Sequence, residues 1–290
     1  MEPQNTSETY NQNIIDYYNR GEVSYRDVWD LDASLAFHYG LWDKKTRNLR
    51  DALRRTNEVM AEMAGISRED HVIDAGCGVG GSLLFLASSI GCSGTGITIT
   101  PRQVDLAKSA ARTKHLDHLA DFKIMDYNKT DFKDDSFTIY WGIESLCYAK
   151  DKPALLREAF RLLKPGGKLI VADAFYSKET YSPSDWEAVQ QIWNSWAVDR
   201  LATENEFQKG LEDAGFVTIT YKNVTSNILP SARRLWFFGR AALLIGKMYS
   251  FIGKKYGNPQ SIGNTIAAVR QYQGLKRGLW EYGIFYAEKK

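Results

Sequence analysis

The stretch VIDAGCGVGGS, Val72 to Ser82, decides the fold. A short apolar run ends near Asp74, and a set of closely spaced glycines follows before the next helix-like segment. Glycine lets a backbone turn sharply and lie against a ligand. The stretch therefore predicts a ligand-binding loop between a strand and a helix, formed by Asp74, Gly76, Cys77 and Gly78.

A dinucleotide-binding loop is the first alternative, because the pattern Gly-x-Gly-x-x-Gly alone is a weak signal. Asp74 opposes it, since a pyrophosphate would be repelled by a carboxylate two residues before the first glycine. An acid at this position suits a cofactor that carries an ammonium group and a sulfonium, which is S-adenosylmethionine. The pattern Asp-x-Gly-x-Gly-x-Gly resembles the first motif of class I methyltransferases. A glycine-rich turn with no ligand is the remaining reading.

Outward from this loop, short apolar runs alternate with helix-like segments. Such alternation predicts an α/β fold with a parallel sheet and helices on both faces. The resemblance implies a Rossmann-like, seven-stranded class I methyltransferase sheet. The predicted strands are HVIDAG, CSGTGITIT, DFKIMDY, SFTIYWGI, KLIVADAFY, FVTITYKNV and GLWEYGIFYAEK, the last two as an antiparallel pair.

The chain divides into four predicted parts. Residues 1–58 are polar and aromatic and form lid helices, and residues 59–225 form the cofactor-binding core. Residues 226–277 form a helical cap insertion, and residues 278–290 return as the final strand of the core. A helix in the core is predicted to stop at Lys164-Pro165-Gly166-Gly167, where proline cannot continue it.

The amino-acid composition limits the class of protein and the kinds of partner. The chain has 290 residues, 44% of them apolar, which is enough to build a core. A net charge of +2 gives no general argument for nucleic acid. The three cysteines do not have metal-ligand spacing, so we expect reduced thiols, no metal site and a cytoplasmic protein without a signal peptide.

The next two strand ends supply further cofactor contacts. Class I methyltransferases usually carry an acid at the end of the second strand, where this chain has Thr98 beside Ile99. Thr98 with Gln103 resembles the branch in which a hydroxyl and an amide replace that carboxylate at the ribose. At the third strand end, Asp126 is expected at the adenine amino group and Tyr127 at the ring face. Asp126 as a simple loop cap is the alternative.

The run YWGIESLCYAKD, Tyr140 to Asp151, places one carboxylate, Glu144, among apolar and aromatic residues. A buried glutamate is costly unless it has a partner or a task. The fourth strand of such a fold ends at the ligand, because ligands bind at the carboxyl ends of the strands. Glu144 is therefore a candidate catalytic group, with a hydrogen bond to a helix or to the lid as the alternative.

Several segments narrow the resemblance to the sterol, tocopherol and geranyl diphosphate C-methyltransferase branch. They are GIESLCYA, the lid segment HYGLWD and the closing segment AVRQYQGLKRGLWEYGIFYAEK. The resemblance implies that an alkene attacks the methyl group and that Glu144 stabilises the resulting cation and accepts a proton. His38 is expected to act as a base or to cover the adenosyl group, Tyr39 is a further catalytic candidate, and Trp141 is expected at the cofactor. Aromatic faces can assist by cation–π attraction; the candidates are Tyr140, Trp141, Tyr148, Tyr39, Trp42, Trp193 and Trp196.

The segment LWFFGRAALLIGKMYSFIG, Leu235 to Gly253, is the most hydrophobic. Arg240 and Lys247 interrupt it, which argues against a membrane span. Together with Arg233 and Lys254 they recur every seven residues and form one stripe on a helix. The helix at 233–254 either faces water with a basic edge or covers an apolar ligand and offers cations to a phosphate or a peripheral membrane contact.

The leading hypothesis is methyl transfer from S-adenosylmethionine, which becomes S-adenosylhomocysteine, to an alkene carbon of a small hydrophobic, isoprenoid-like substrate, with cyclisation left open. The alternatives are methylation of an aromatic or quinone ring, or of a small amine or phenol. A catalytically inactive, adenosyl-binding partner protein is a third class. Magnesium is expected only if the substrate is a diphosphate, nucleic acid is not expected, and homo-oligomerisation stays open.

Overall fold

The computed structural model describes residues 8–18, 31–251 and 259–290. Seven strands form one sheet in the order β3-β2-β1-β4-β5-β7-β6. All neighbouring pairs are parallel except those of β7, which runs antiparallel to β5 and to β6. The expected seven-stranded class I methyltransferase sheet is thereby confirmed. The strands are β1 (His71–Ala75), β2 (Ser93–Thr98), β3 (Ala120–Ile124), β4 (Phe137–Ile143), β5 (Leu163–Tyr176), β6 (Phe216–Asn223) and β7 (Trp280–Lys289).

Helices follow the strands on both faces of the sheet. Several begin at residues whose side chains cap the first backbone N–H groups, as Asp151 does for α6 and Thr203 for α8. The helices are α1 (8–18), α2 (Leu31–Ser34), α3 (Leu49–Ala64), α4 (Gly81–Ser89), α5 (Pro101–Thr113), α6 (Lys152–Leu162), α7 (Pro183–Asn194), α8 (Glu204–Ala214), α9 (Thr225–Phe251) and α10 (Pro259–Lys276).

The sheet separates two hydrophobic cores. On β1, Val72 belongs to one core and Ile73 to the other, as expected when successive side chains point to opposite faces. Both residues are fully buried. Because helices cover both faces, the ligand can approach β1 only at the end of the strand, where Asp74 lies.

One boundary differs from the sequence prediction. Helix α6 ends at Leu162 as expected, but β5 begins at once with Leu163 and includes the Pro-Gly-Gly turn that was predicted as a break. The pairing of β5 with β4 shifts register there, from Phe137 opposite Leu163 to Ile139 opposite Lys168. The irregular pairing accommodates the turn inside the strand, with Gly166 at φ +78°.

Helices α9 and α10 lie between β6 and β7, where the sequence predicted a mostly helical segment. The division into lid, core, cap and final strand stays a prediction. Within the described ranges, no helix is both long and apolar enough to cross a membrane. Lys254, the last member of the predicted basic stripe, lies outside the described residues.

Candidate active site

A cavity of about 310 Å³ opens at the carboxyl ends of β1, β2 and β4. Its walls are the glycine-rich loop, the segments after these strands, and helix α1 with the segment after α2. From α1 and that segment come Tyr10, Asn11, Ile14, Tyr18, Leu35, Ala36, Phe37 and His38. From the core come Asp74, Gly76, Cys77, Gly78, Thr98, Ile99, Gln103, Asp126, Tyr127, Ile143, Glu144, Ser145, Tyr148, Lys150 and Asp151, among others.

The glycine-rich loop is a site of close backbone approach. Gly76 has φ +80°, a conformation that residues with a Cβ rarely adopt. A Cβ at Gly76 would lie 2.4 Å from the Cβ of Ser145, and one at Gly81 would lie 2.0 Å from the carbonyl oxygen of Leu35. The loop therefore packs closely against Ser145, which follows β4, and against Leu35, which follows α2. All three segments line the cavity.

Asp74 is buried near the end of β1, with 2% of its surface exposed. Among the residues that the structure describes, its Oδ2 atom has no hydrogen-bond partner. Burial raises the pKa of this carboxyl to about 7. A buried acid without a charged partner is unfavourable, and a cationic ligand in the cavity would supply that partner.

The raised pKa of Asp74 predicts how stability depends on pH. The folded state retains a proton that the unfolded chain has already lost, so this group stabilises the fold below pH 4 and that contribution is lost as pH rises through about 7. Without ligand, Asp74→Asn is expected to be more stable than the wild type at pH 8 by up to about 4 kcal/mol, and to match it near pH 4. Denaturant unfolding of both proteins across this range measures the difference. A constant difference at all pH values would contradict the assignment.

Thr98 and Gln103 face the cavity in direct contact. The Thr98 hydroxyl donates a 2.7 Å hydrogen bond to Oε1 of Gln103, and the backbone N–H of Thr100 donates to the Thr98 hydroxyl at 3.3 Å. Both side chains are more than nine-tenths buried. The sequence prediction that these two groups act together is consistent with this placement, and their role toward a ligand stays a proposal.

Asp126 and Tyr127 also line the cavity, but both are engaged by the protein. Oδ1 of Asp126 accepts from the backbone N–H and the amide of Asn128, and Oδ2 accepts from the amide of Asn11 at 2.8 Å. The Tyr127 hydroxyl donates to the carbonyl of Ser145 at 2.8 Å. Asp126 thus makes the loop contact of the alternative reading and also attaches α1 to the core, and its role at the adenine stays a prediction.

Glu144 follows β4 at the cavity wall, in the left-handed region with φ +47°. Its Oε1 atom accepts from the backbone N–H of Tyr39 at 2.6 Å and from the hydroxyl of Tyr282 at 2.8 Å. Burial raises the pKa of Glu144 to about 8, although these two hydrogen bonds act to lower it. The predicted alternative, a contact with the lid, is therefore present, and it coexists with a position on the cavity wall.

His38 lies in the cavity wall as a neutral imidazole, because burial lowers its pKa to about 4. Its Nδ1 lies 2.9 Å from the carbonyl oxygen of Tyr39, which can only accept, so Nδ1 carries the proton. Nε2 then bears a lone pair, and it is buried with no hydrogen-bond partner in the described parts of the chain. The predicted role of His38 as a base stays a prediction.

Tyr39 and Trp141 lie outside the cavity, which corrects their predicted positions. The Tyr39 hydroxyl donates to Oε1 of Gln271 at 2.7 Å, away from the cavity, and only its backbone N–H reaches Glu144. Trp141 is fully buried in the core beneath the cavity. On a strand buried on both faces, sequence alternation does not indicate which side chains reach the strand end.

Three aromatic residues of the described cavity lining, Tyr10, Tyr18 and Phe37, were not singled out by the sequence analysis. Tyr148 is the one predicted cation–π candidate in the described cavity lining. Tyr10, Ile14 and Tyr18 recur every four residues on one face of α1, and Phe37 lies beside them. The four-residue spacing in the run YNQNIIDYY is the sequence signal that could have identified these α1 residues as one face of a helix.

Residues 73–171 match the family model described as "Methyltransferase domain". This segment is a methyltransferase domain, and the seven-stranded fold is that of the class I methyltransferases. The chain is 24% identical to the chloroplastic tocopherol O-methyltransferase of Arabidopsis thaliana over 98% of this chain and 84% of that protein. Its fold matches geranyl diphosphate C-methyltransferase from Streptomyces coelicolor with a TM-score of 0.75 at 21% identity, over 97% and 98% of the two chains. It also matches the [4+2]-cyclase SpnF with a TM-score of 0.78 at 24% identity, over 96% of each chain.

The cofactor of this methyltransferase is S-adenosylmethionine, and the site fits it. The unpartnered Oδ2 of Asp74 matches the positive charge of the methionyl end. The left-handed glycines leave room for a ligand to lie against the backbone. A metal is not required by this fit, and the described residues contain no group of three or more His, Cys, Asp or Glu side chains that could hold one.

Proposed function

We propose that this methyltransferase transfers a methyl group to an alkene carbon of a hydrophobic, isoprenoid-like acceptor. The observation that carries the proposal is Glu144, a carboxyl in the cavity wall whose Oε1 is held by Tyr39 and Tyr282. Such a fixed carboxylate suits a reaction that creates a positive charge and then loses a proton.

The cofactor end of the cavity is assigned to the residues at the ends of β1, β2 and β3. Asp74 would pair with the methionyl ammonium, while Gly76, Cys77 and Gly78 would lie along the methionyl chain. Thr98, Ile99 and Gln103 would surround the ribose, and Asp126 and Tyr127 would flank the adenine. Bound there, S-adenosylmethionine supplies a methyl group on a positively charged sulfur.

Thr98 and Gln103 should matter for cofactor affinity as a pair. We expect Thr98→Val combined with Gln103→Leu to weaken S-adenosylmethionine binding by about 1–3 kcal/mol, the scale of lost buried hydrogen bonds. Isothermal titration calorimetry measures the change. Thr95→Val is a matched control, because Thr95 is a buried threonine on the same strand and does not line the cavity. Equal affinity in the double variant and the wild type would mean that other residues hold the ribose.

We place the acceptor against the aromatic part of the cavity lining, which favours an uncharged molecule. Tyr10, Tyr18, Phe37 and Tyr148 supply aromatic faces there. Among the lining residues that the structure describes, Lys150 alone carries a positive side chain, and its Nζ lies 4.5 Å from the ring centre of Tyr10. A diphosphate would need several cations or a metal, so we propose an acceptor without one.

Glu144 performs two tasks in this proposal. A positive charge in the cavity favours the ionised carboxylate, which opposes the effect of burial on its pKa. The carboxylate would then stabilise the cation that forms when the alkene electrons make the new bond to the methyl carbon, while the methyl–sulfur bond breaks and its electron pair stays on the sulfur. Finally it accepts a proton from a neighbouring carbon, whose C–H electrons restore the double bond. The aromatic walls hold the alkene and exclude water.

A second candidate is methylation of a phenol or quinol ring, and His38 is the observation that favours it. Its Nε2 lone pair is buried in the cavity wall without a partner in the described residues. A neutral imidazole can take the proton of a hydroxyl group before methyl transfer. The near full-length similarity to tocopherol O-methyltransferase agrees with such an acceptor.

An acceptor panel with methyl-labelled S-adenosylmethionine tests both candidates by mass spectrometry. The panel contains prenyl alcohols, prenyl diphosphates, prenylated quinols and dimethylglycine. Label on carbon of a prenyl alcohol or another uncharged terpenoid is expected. Label on oxygen or ring carbon of a quinol would favour the second candidate. Label only on diphosphates or on dimethylglycine would overturn the proposed acceptor class, and S-adenosylmethionine binding without transfer to any hydrophobic acceptor would overturn the proposed reaction.

A further inference from the structure

Helix α9 presents an apolar strip to the outside of the molecule. Phe237, Leu244 and Met248 are spaced by seven and four residues, so they share one face of the helix. Their exposed fractions are 53%, 62% and 63%. Phe238 and Ile245 extend the strip around the helix, at 48% and 42% exposed. Large apolar side chains exposed next to one another usually mark a contact surface.

The other side of α9 is occupied by the protein. Gly239 is buried against α10, where an added Cβ would lie 2.9 Å from Val269 and 3.0 Å from the carbonyl of Thr265. Ile228 and Ala232 are fully buried. The helix is therefore held by one face and offers the opposite face to its surroundings.

A basic edge runs beside the apolar strip. Arg233, Arg240 and Lys247 follow one another at seven-residue spacing and are exposed. The guanidinium of Arg233 lies 5.5 Å from the ring centre of Phe237, so the basic edge and the apolar strip are in contact. Apolar residues beside cations on one helix face are the pattern of helices that lie in a membrane interface.

The stretch of sequence that contains α9 carries positive side chains and no negative ones. No Asp or Glu occurs between Asp213 and Glu281, whereas ten Lys and Arg residues do. The whole chain carries +2, so the rest of it carries −8. The basic residues are Lys222, Arg233, Arg234, Arg240, Lys247, Lys254, Lys255, Arg270, Lys276 and Arg277.

We infer that the outer face of α9 docks on the surface of an anionic lipid bilayer. Lipid headgroups of negative charge complement the basic edge, and the acyl boundary accepts the apolar strip. A second copy of the chain would bring the same basic face against itself and be repelled. An acidic protein or nucleic acid would satisfy the cations and leave Phe237, Leu244 and Met248 without an apolar partner.

The buried face of α9 contacts the segment that leads to the cavity wall. Ser231, in the first half of α9, accepts from the indole N–H of Trp42 at 2.9 Å and donates to the carbonyl of Gly40 at 3.0 Å. His38, two residues before Gly40, lines the cavity. Docking would therefore hold this segment beside the bilayer. The docking itself does not depend on which acceptor is methylated.

Vesicle co-sedimentation of the full chain tests the inference. The vesicles contain either phosphatidylcholine alone or phosphatidylcholine with about one third phosphatidylglycerol, a strongly anionic composition. Binding is expected to the anionic vesicles only, and to weaken markedly between about 0.05 M and about 0.5 M salt. Equal binding to both vesicle types, or no binding to anionic vesicles at low salt, would overturn the inference.

Two variants of α9 and one matched control separate the contributions. Arg240→Glu with Lys247→Glu is expected to reduce the partition constant for anionic vesicles by more than about tenfold. Leu244→Ser with Met248→Ser should reduce it with little change in its salt dependence. Lys108→Glu with Lys114→Glu makes the same charge change on two exposed residues, one in α5 and one directly after it, and should bind as the wild type does.

Other occupants give different results in the same experiment. If the control pair loses as much binding as the α9 pair, attraction is a property of net charge and the inference fails. If Leu244→Ser with Met248→Ser converts a dimer to a monomer in sedimentation analysis, the face is a contact between copies and the inference also fails. Thermal unfolding and S-adenosylmethionine binding, both expected unchanged in these surface variants, show that a loss of vesicle binding is local.

The same pair of cations predicts a kinetic effect. If the acceptor is presented in anionic vesicles, neutralising the pair by Arg240→Gln with Lys247→Gln should raise the KM for the acceptor and flatten its salt dependence, with kcat retained. For an acceptor that is dissolved in water, neither parameter should change. Steady-state assays of both presentations at several salt concentrations measure the effect. An unchanged salt response with vesicles would mean that the basic edge only faces water.

Discussion

Glu144→Gln is expected to lower turnover by roughly 10²–10⁴-fold while the affinity for S-adenosylmethionine barely changes. The amide keeps the shape of the side chain and an oxygen that can accept from Tyr39 and Tyr282, which donate to Oε1 in the wild type. It cannot carry the negative charge or accept the proton. The measurement pairs single-turnover methyl transfer with thermal unfolding of the same protein.

A structural glutamate would behave differently. Loss of the lid contact alone would lower the melting temperature and reduce activity only in proportion to the unfolded fraction. Full activity in well-folded Glu144→Gln would end the catalytic proposal. The product mixture is a further indicator, because a cation that lacks its proton acceptor can lose a different proton or be captured by water.

Tyr282→Phe is the matched control for Glu144. It removes the 2.8 Å hydrogen bond to Oε1 and keeps the ring, which is fully buried. That bond lowers the pKa of Glu144, which burial raises to about 8, so its loss should raise this pKa further. In the wild type, kcat/KM should rise with pH through about 8 as Glu144 ionises in the free enzyme. In Tyr282→Phe the rise should move to higher pH, and in Glu144→Gln it should disappear.

Asp74→Ala is expected to weaken S-adenosylmethionine binding by more than about 100-fold with the fold intact. Removing one partner of a buried charge pair typically costs about 3–5 kcal/mol. The fold should survive because Asp74 lines the cavity and its Oδ2 has no hydrogen-bond partner in the described residues that would be lost. Calorimetry measures the affinity and thermal unfolding the stability.

Asp173 supplies a control for Asp74. It is another buried carboxyl, with 2% exposure and a pKa raised by burial to about 6, but it accepts from the backbone N–H groups of Cys147 and Ala174 and does not line the cavity. Asp173→Asn should affect stability and leave cofactor affinity near the wild-type value. Normal affinity in Asp74→Ala would contradict the assignment of the cofactor's charged end.

The sheet and the glycine-rich loop could be predicted because their signals are local. Strands β1 to β4 each show as a short apolar run, and the pattern from Asp74 to Gly80 lies within seven residues. The contact between Thr98 and Gln103 was likewise accessible, since one turn at the start of α5 joins them.

A contact between Glu144 and the lid was predicted as an alternative, but its specific partners could not be predicted, because they are distant in sequence. Tyr39 and Tyr282 lie 105 and 138 positions away along the chain, and a periodic pattern carries no information about such pairs. The same applies to Asn11, whose amide reaches Asp126 across 115 positions. Trp141 was misplaced because β4 is apolar on both faces, so its sequence does not distinguish a core position from a cavity position.

Helix α1 imposes an order on events in the cavity. It forms part of the wall and is attached by side chains, with Asn11 on Asp126, the Tyr10 hydroxyl on the carbonyl of Ala197, and the Tyr18 hydroxyl 3.2 Å from that of Tyr148. Each of these bonds is modest in water and can break without unfolding the sheet. If α1 detaches in this way, ligands that lie behind it enter before it closes and leave after it opens. We then expect the residence time of the spent cofactor to depend on how often this helix detaches, and not on the speed of the chemical step.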